Sequence, residues 1–108
     1  DILMPQFDVY ANPSASTKRM YPYLLDIQSD TLSALATRIV VPLGRASFLE
    51  GEKLPRLTPT VTLDKEELLI LIPQIASLPA SVFKTPIGTL EHTRDEIEDE
   101  LDYAITEL

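Results

Sequence analysis

Nine prolines lie between Pro5 and Pro86, and none follows. A proline has no backbone N–H and a fixed φ, so it breaks helices and enters sheets only at edges, strand ends and bulges. Residues 4–88 are thereby cut into short pieces rich in strand formers, and only the stretch after Gly88 runs without a break. The spacing predicts a β body over 4–88 and one C-terminal helix over about 89–108.

Within the body, "MPQFDVYA" sets Phe7 and Val9 against Asp8 and Tyr10, a strand pattern, and leads into the exposed loop Asn12 to Lys18. "YPYLLDIQS" reads as a second strand and "TRIVVPL" as a third, rich in β-branched residues and ended by Pro42. Between them "SDTLSALA" suits a helical turn capped by Ser29 or Asp30. "LTPTVTL" and "ELLILIP" predict a hairpin closed over Asp64-Lys65-Glu66, with Leu68 to Ile72, apolar on both faces, as the most buried strand. "IASLPASVF" adds an extended piece whose Pro79 places it at an edge or a crossing between strands. Five or six such strands predict a mainly β fold, a small barrel or a pair of packed sheets.

The last segment alone has a helical period. Leu90, Ile97, Leu101, Ala104, Ile105 and Leu108 fall on one stripe, expected to lie on the body. Thr93-Arg94-Asp95-Glu96 fits a capping box, and a start at Thr89 fits equally. The opposite face is acidic: eight carboxylates against Arg94 give residues 88–108 a charge of −7 out of the total of −8. The molecule is a nearly neutral body with a negative rod.

That charge disfavours nucleic acid as a direct partner, because phosphates are held by Lys and Arg. With 108 residues, 44% of them hydrophobic, the chain holds one domain with a modest core, read as 4–108; Asp1-Ile2-Leu3 ahead of Met4 reads as a remnant outside it. The absence of a long apolar run predicts neither a membrane span nor a signal peptide, hence a cytoplasmic protein with no membrane partner. Zero cysteines exclude a disulfide framework, a thiolate metal site and a thiol nucleophile.

Candidate chemistry is sparse. His92 is the only histidine, and no serine has a His and Asp at motif spacing, so nucleophilic hydrolysis has no support. Asp95, Asp99 and Asp102 share a helical face but form an open row, a solvated surface and not a metal cage. Arg38, Arg45 and Arg56 are candidates for a small RNA-binding patch, against the commoner reading that each pairs with a carboxylate. The residues themselves therefore point to a binding module, with no cofactor and no metal.

"QFDVYAN", "YPYLLDIQSD", "TRIVVPL", "LTPTVTLDKEELLILIPQIASLP" and the closing helix with Ile97, Leu101 and Ile105 resemble, in this order and spacing, the CcdB family of plasmid and chromosomal toxins. The resemblance covers residues 4–108, and its most specific parts are Asp26-Ile27-Gln28-Ser29-Asp30 and Ser77-Leu78-Pro79. It implies a small SH3-like β-barrel with a C-terminal helix, assembled as a homodimer. Such toxins bind the A subunit of DNA gyrase, trap it on cleaved DNA without turnover of their own, and are neutralised by a CcdA-like antitoxin.

Carried over by position, the implied gyrase contacts are Asp102, Ile105, Thr106, Glu107 and Leu108, with Thr31 and Leu32 beside them. The implied antitoxin contacts lie in the first loop, at Asn12, Pro13, Ser14 and Lys18. Many family members end in Gly-Ile, often after an aromatic residue, whereas here the sequence reads Thr106-Glu107-Leu108 and has no tryptophan. A diverged dimer that binds antitoxin without poisoning gyrase is therefore a second reading, and an RNA-cleaving toxin of the related MazF type a third.

Overall fold

The computed structural model describes residues 5–29, 35–54 and 56–106. Most of the predicted turn "SDTLSALA" lies outside them. Among the described residues seven strands form one antiparallel sheet: β1 Asp8–Ala11, β2 Tyr23–Asp26, β3 Thr37–Arg45, β4 Thr60–Leu63, β5 Glu66–Ile70, β6 Ala76–Pro79 and β7 Gly88–Thr89, followed by helix α1, Arg94–Thr106. The order is β4-β5-β3-β2-β1-β7, with β6 also on β3. The sheet curls into a half-barrel closed by α1, the mainly β architecture with one C-terminal helix that the sequence predicts.

The nine-residue β3 is the spine. One edge pairs with β2; the other takes β5 at Leu43–Arg45 and β6 at Thr37–Val40. The chain turns between these two partners in a short 3-10 corner, Ile72–Gln74. Pro42 does not end the strand, contrary to the sequence expectation. In an extended strand the N and O of one residue point to the same edge. The Pro42 carbonyl accepts the Leu71 N–H at 3.0 Å, so the proline's missing donor faces the place where the corner interrupts the ladder.

Leu68 to Ile72 are buried on both faces because each face has its own core. Leu68, Ile70 and Ile72 join Phe7, Val9, Leu25, Val41, Leu43, Leu90 and Ile97 inside the half-barrel. Leu69 and Leu71 pack outward against Ala46 and Leu49, with Tyr21 over them. Each of these aliphatic side chains contributes about 1.5–3 kcal/mol on burial. Gly44 lies under the second core, where a Cβ would come 2.2 Å from Leu49 Cδ1.

The β4–β5 hairpin closes over two residues, since Leu63 pairs with Glu66. Asp64 and Lys65 have φ of 51° and 68°, the left-handed pair that a type I′ turn requires. The helical segment begins with a 3-10 turn, Glu91–Thr93. The Thr89 hydroxyl accepts the Glu91 N–H at 3.1 Å, while the Thr93 hydroxyl donates to the Leu90 carbonyl at 2.8 Å instead of acting as the predicted capping-box acceptor. A helix this short is marginal alone, so its packing on the body holds it. Leu90 and Ile97 are buried, and Leu101 and Ala104 pack against the core. Ile105 breaks the expected stripe: it is 72% exposed.

Candidate partner-binding surface

Helix α1 carries its acids outward. Asp95, Glu96, Glu98, Asp99 and Asp102 are exposed, and Glu100 is half-buried. Two arginines fix the rod to the body. Arg56 reaches Asp99 at 3.0 Å and Glu100 at 3.4 Å, with its guanidinium 4.1 Å from the centre of the Tyr103 ring. Arg94, in the first turn, holds Glu91 at 2.7 Å and Glu98 at 3.4 Å and lies 4.8 Å over the Phe7 ring.

The last turn presents Asp102, Ile105 and Thr106, all exposed. The Thr106 hydroxyl donates to the Asp102 carbonyl, closing the turn on itself. Beside it runs an apolar groove of about 260 Å³ between α1 and the 3-10 corner, walled by Leu57, Ile72, Pro73, Ile75, Leu101 and Ala104, with Ile105 at its lip. Thr31, Leu32, Glu107 and Leu108 lie outside the described residues.

The segment leading to Thr31 is fastened by a buried network. Asp26 and Arg38 are both fully buried; the carboxylate accepts Arg38 Nε at 2.9 Å and Nη2 at 2.7 Å, and the Gln28 N–H at 2.9 Å. Burial pushes the Asp26 carboxyl above its usual range, with the Gln28 N–H and Arg38 opposing. Gln28 is buried too, and its side-chain oxygen accepts the Ile39 N–H at 3.0 Å. Gln28 is thus a fastening for the turn, and of the Gln28-Ser29 pair only Ser29 is exposed.

The β1–β2 loop is built around Asn12. Its side-chain oxygen accepts the Ser14 N–H at 2.9 Å, and its amide donates to Thr17 Oγ1 at 3.0 Å and the Tyr21 carbonyl at 2.8 Å. Arg45 ties the far side of the loop down through the Arg19 and Met20 carbonyls. Pro13 and Lys18 are exposed on this braced frame, and Ser14 is half-buried.

None of the three arginines weighed for RNA is a bare cation: Arg38 pairs with Asp26, Arg45 with Glu66, and Arg56 with Asp99 and Glu100. His92 is exposed. Among the described residues no cluster of His, Asp or Glu is arranged to hold a metal, and no helix is long and apolar enough to cross a membrane. Sequence reading missed Ile39 and Ile75, exposed isoleucines at 38% and 45%. A signal was available in the uncharged run Pro73 to Ser81. In a comparison with protein families, the family model described as CcdB protein matches residues 6–106.

Proposed function

Starting from the premise that the chain belongs to the CcdB family, the toxins of toxin–antitoxin pairs, we propose that it binds the DNA gyrase A subunit with the distal end of α1 and traps the gyrase–DNA cleavage complex. The observation that carries this reading is Ile105, an aliphatic side chain held 72% exposed on the final turn of an acidic helix. Leaving it in water forgoes about 1.5–3 kcal/mol that its burial at an interface returns. The surrounding acids steer the helix toward a basic surface, as expected of an enzyme that handles DNA. Asp102, Ile105 and Thr106 form the described part of the contact, with Glu107, Leu108, Thr31 and Leu32 as its proposed continuation. The protein acts as a ligand of gyrase, with no turnover of its own.

A CcdA-like antitoxin is proposed to take the loop at Asn12, Pro13, Ser14 and Lys18, whose braced backbone offers an ordered surface at little entropic cost. A homodimer is proposed through the exposed part of the β6–β3 pair. Ile39 and Ser77 are cross-strand partners there, Ile75 lies on the same side, and the whole run 73–81 is uncharged. Copies that each carry −8 repel wherever their charges meet, so an uncharged strip is where they can approach.

Calorimetric titration of the purified protein into gyrase A subunit tests the reading. Saturable binding is expected, weakened at least tenfold by Ile105→Asp or Leu108→Asp with the melting curve unchanged, since a hot-spot side chain carries about 2 kcal/mol or more. The same affinity in both variants would move the contact elsewhere. The sequence Thr106-Glu107-Leu108 favours one rival, a dimer that binds antitoxin alone; wild-type protein that binds antitoxin and ignores gyrase would select it.

A further inference from the structure

Between the base of α1 and the turn after β2 lies a junction made by Gln6 and Phe7. The Gln6 amide donates to the Ile27 carbonyl at 3.0 Å, and its oxygen accepts Arg94 Nη1 at 3.0 Å. The Phe7 N–H donates to the Asp26 carbonyl at 2.6 Å, and the Phe7 carbonyl accepts the Leu90 N–H at 2.8 Å. Two consecutive residues therefore each tie the end of β2 to the start of the helical segment, one through its side chain and one through its backbone.

Phe7 does this in a left-handed conformation, φ 73°, with its side chain fully buried. A bulky residue held there costs about 1–3 kcal/mol, and such strain persists where surrounding contacts over-determine it. The twist sends the ring into the core while the Gln6 side chain lies across the junction. The Arg94 guanidinium then covers the ring and extends to Glu91 and Glu98 on the helix. On the other side, Ile27 N–H donates to the Ile39 carbonyl, and Gln28 is locked to Asp26 and Ile39. An unbroken polar chain runs from the helix acids through Arg94 and Gln6 to the Ile27–Gln28 turn.

We infer that Gln6 is a positioning residue that sets helix α1 and the Asp26–Ser29 turn in one fixed relation, so that both present to a partner as a single preformed surface. The inference rests on the gyrase-binding reading for its consequence, though not for its geometry. A half-buried side chain bridging two elements adds little to global stability, yet it removes freedom that a partner would otherwise have to freeze out.

The test compares wild type, Gln6→Ala and Gln6→Glu. Alanine removes both tethers. Glutamate still accepts from Arg94 but cannot donate to the Ile27 carbonyl. Amide hydrogen exchange is read at Ile27, Gln28 and Ile39, together with the melting midpoint and gyrase A affinity. The expected result is exchange at those amides faster by about tenfold in both variants, the value of one net hydrogen bond. The midpoint should move by no more than a few degrees, and the affinity should fall by about tenfold. Unchanged exchange at the three amides overturns the inference, as does a fall in affinity fully accounted for by loss of folded protein. Wild-type protein that fails to bind gyrase A defeats the functional reading instead, and exchange then still decides the coupling.

Discussion

Replacing Arg38 by methionine removes a cation that is fully buried against Asp26. Methionine keeps part of the apolar stem and supplies no donor, so the carboxylate loses the contacts at 2.9 and 2.7 Å and retains the Gln28 N–H. Breaking a buried pair from one side costs about 3–5 kcal/mol, because the remaining charge is left without its counterion. For a chain of this length that lowers the melting midpoint by roughly 12–25 °C. Removing both charges in Asp26→Leu/Arg38→Met should leave the protein within about 2 kcal/mol of wild type, since apolar replacement of a buried pair is often neutral.

The pH dependence supplies an independent check on the same pair. Burial raises the folded pKa of Asp26. The stability linked to such a group is fully present below the unfolded pKa and is lost as pH rises through the folded one. Without Arg38 the penalty for the ionised carboxylate grows, so the Arg38→Met variant should recover part of its deficit as pH falls from about 7 to about 5. Urea denaturation followed by circular dichroism, at one protomer concentration throughout, measures all of this. A loss under about 1 kcal/mol, or a deficit that deepens on acidification, would mean that solvent reaches the carboxylate and the reasoning about the pair is wrong.

Gly44→Ala should cost about 1–3 kcal/mol by overpacking, with part regained when Leu49→Ala is added, and thermal melts of the two variants read both steps. Burial, followed by the charges of Asp8 and Asp26, pushes Tyr10 from 10.0 up to about 12. Its raised pKa gives stability that is present below the unfolded value and lost as pH climbs through the folded one. Tyrosinate absorbance should therefore show a last step near pH 12 that is absent from Tyr10→Phe. Arg56→Ala removes two half-exposed ion pairs and a ring contact, worth about 0.5–1 kcal/mol together. Amide exchange in the second half of α1 should quicken accordingly, and should also quicken in wild type at high salt.

What was legible in the sequence is what period and punctuation encode. The stripe of Leu90, Ile97 and Leu101 placed the helix, and polar Asp64-Lys65 between strand formers placed the hairpin, because both signals are local. Pro42 misled, since its tolerance depends on which edge of β3 the missing donor faces, and that is fixed by the distant corner at Ile72–Gln74. The period put Ile105 on the stripe, but it reaches only the lip of the groove between α1 and the 3-10 corner, so its exposure is a fact of tertiary extent. The partners of Arg38, Arg45 and Arg56 were likewise invisible. Arg56 meets acids 43 and 44 residues onward, a distance no local pattern spans. The Gln6 junction was hidden for the same reason, with Arg94 lying 88 residues away.

The most direct measurement of the central claim uses purified gyrase, supercoiled plasmid and ATP, with the products trapped by detergent and resolved on a gel. Wild-type protein should cause linear, gyrase-bound DNA to accumulate, Ile105→Asp at equal concentration should not, and RNA should stay intact with the protein when gyrase is omitted. RNA cleavage by the protein alone, or a wild type that leaves the cleavage products at background, would contradict the claim.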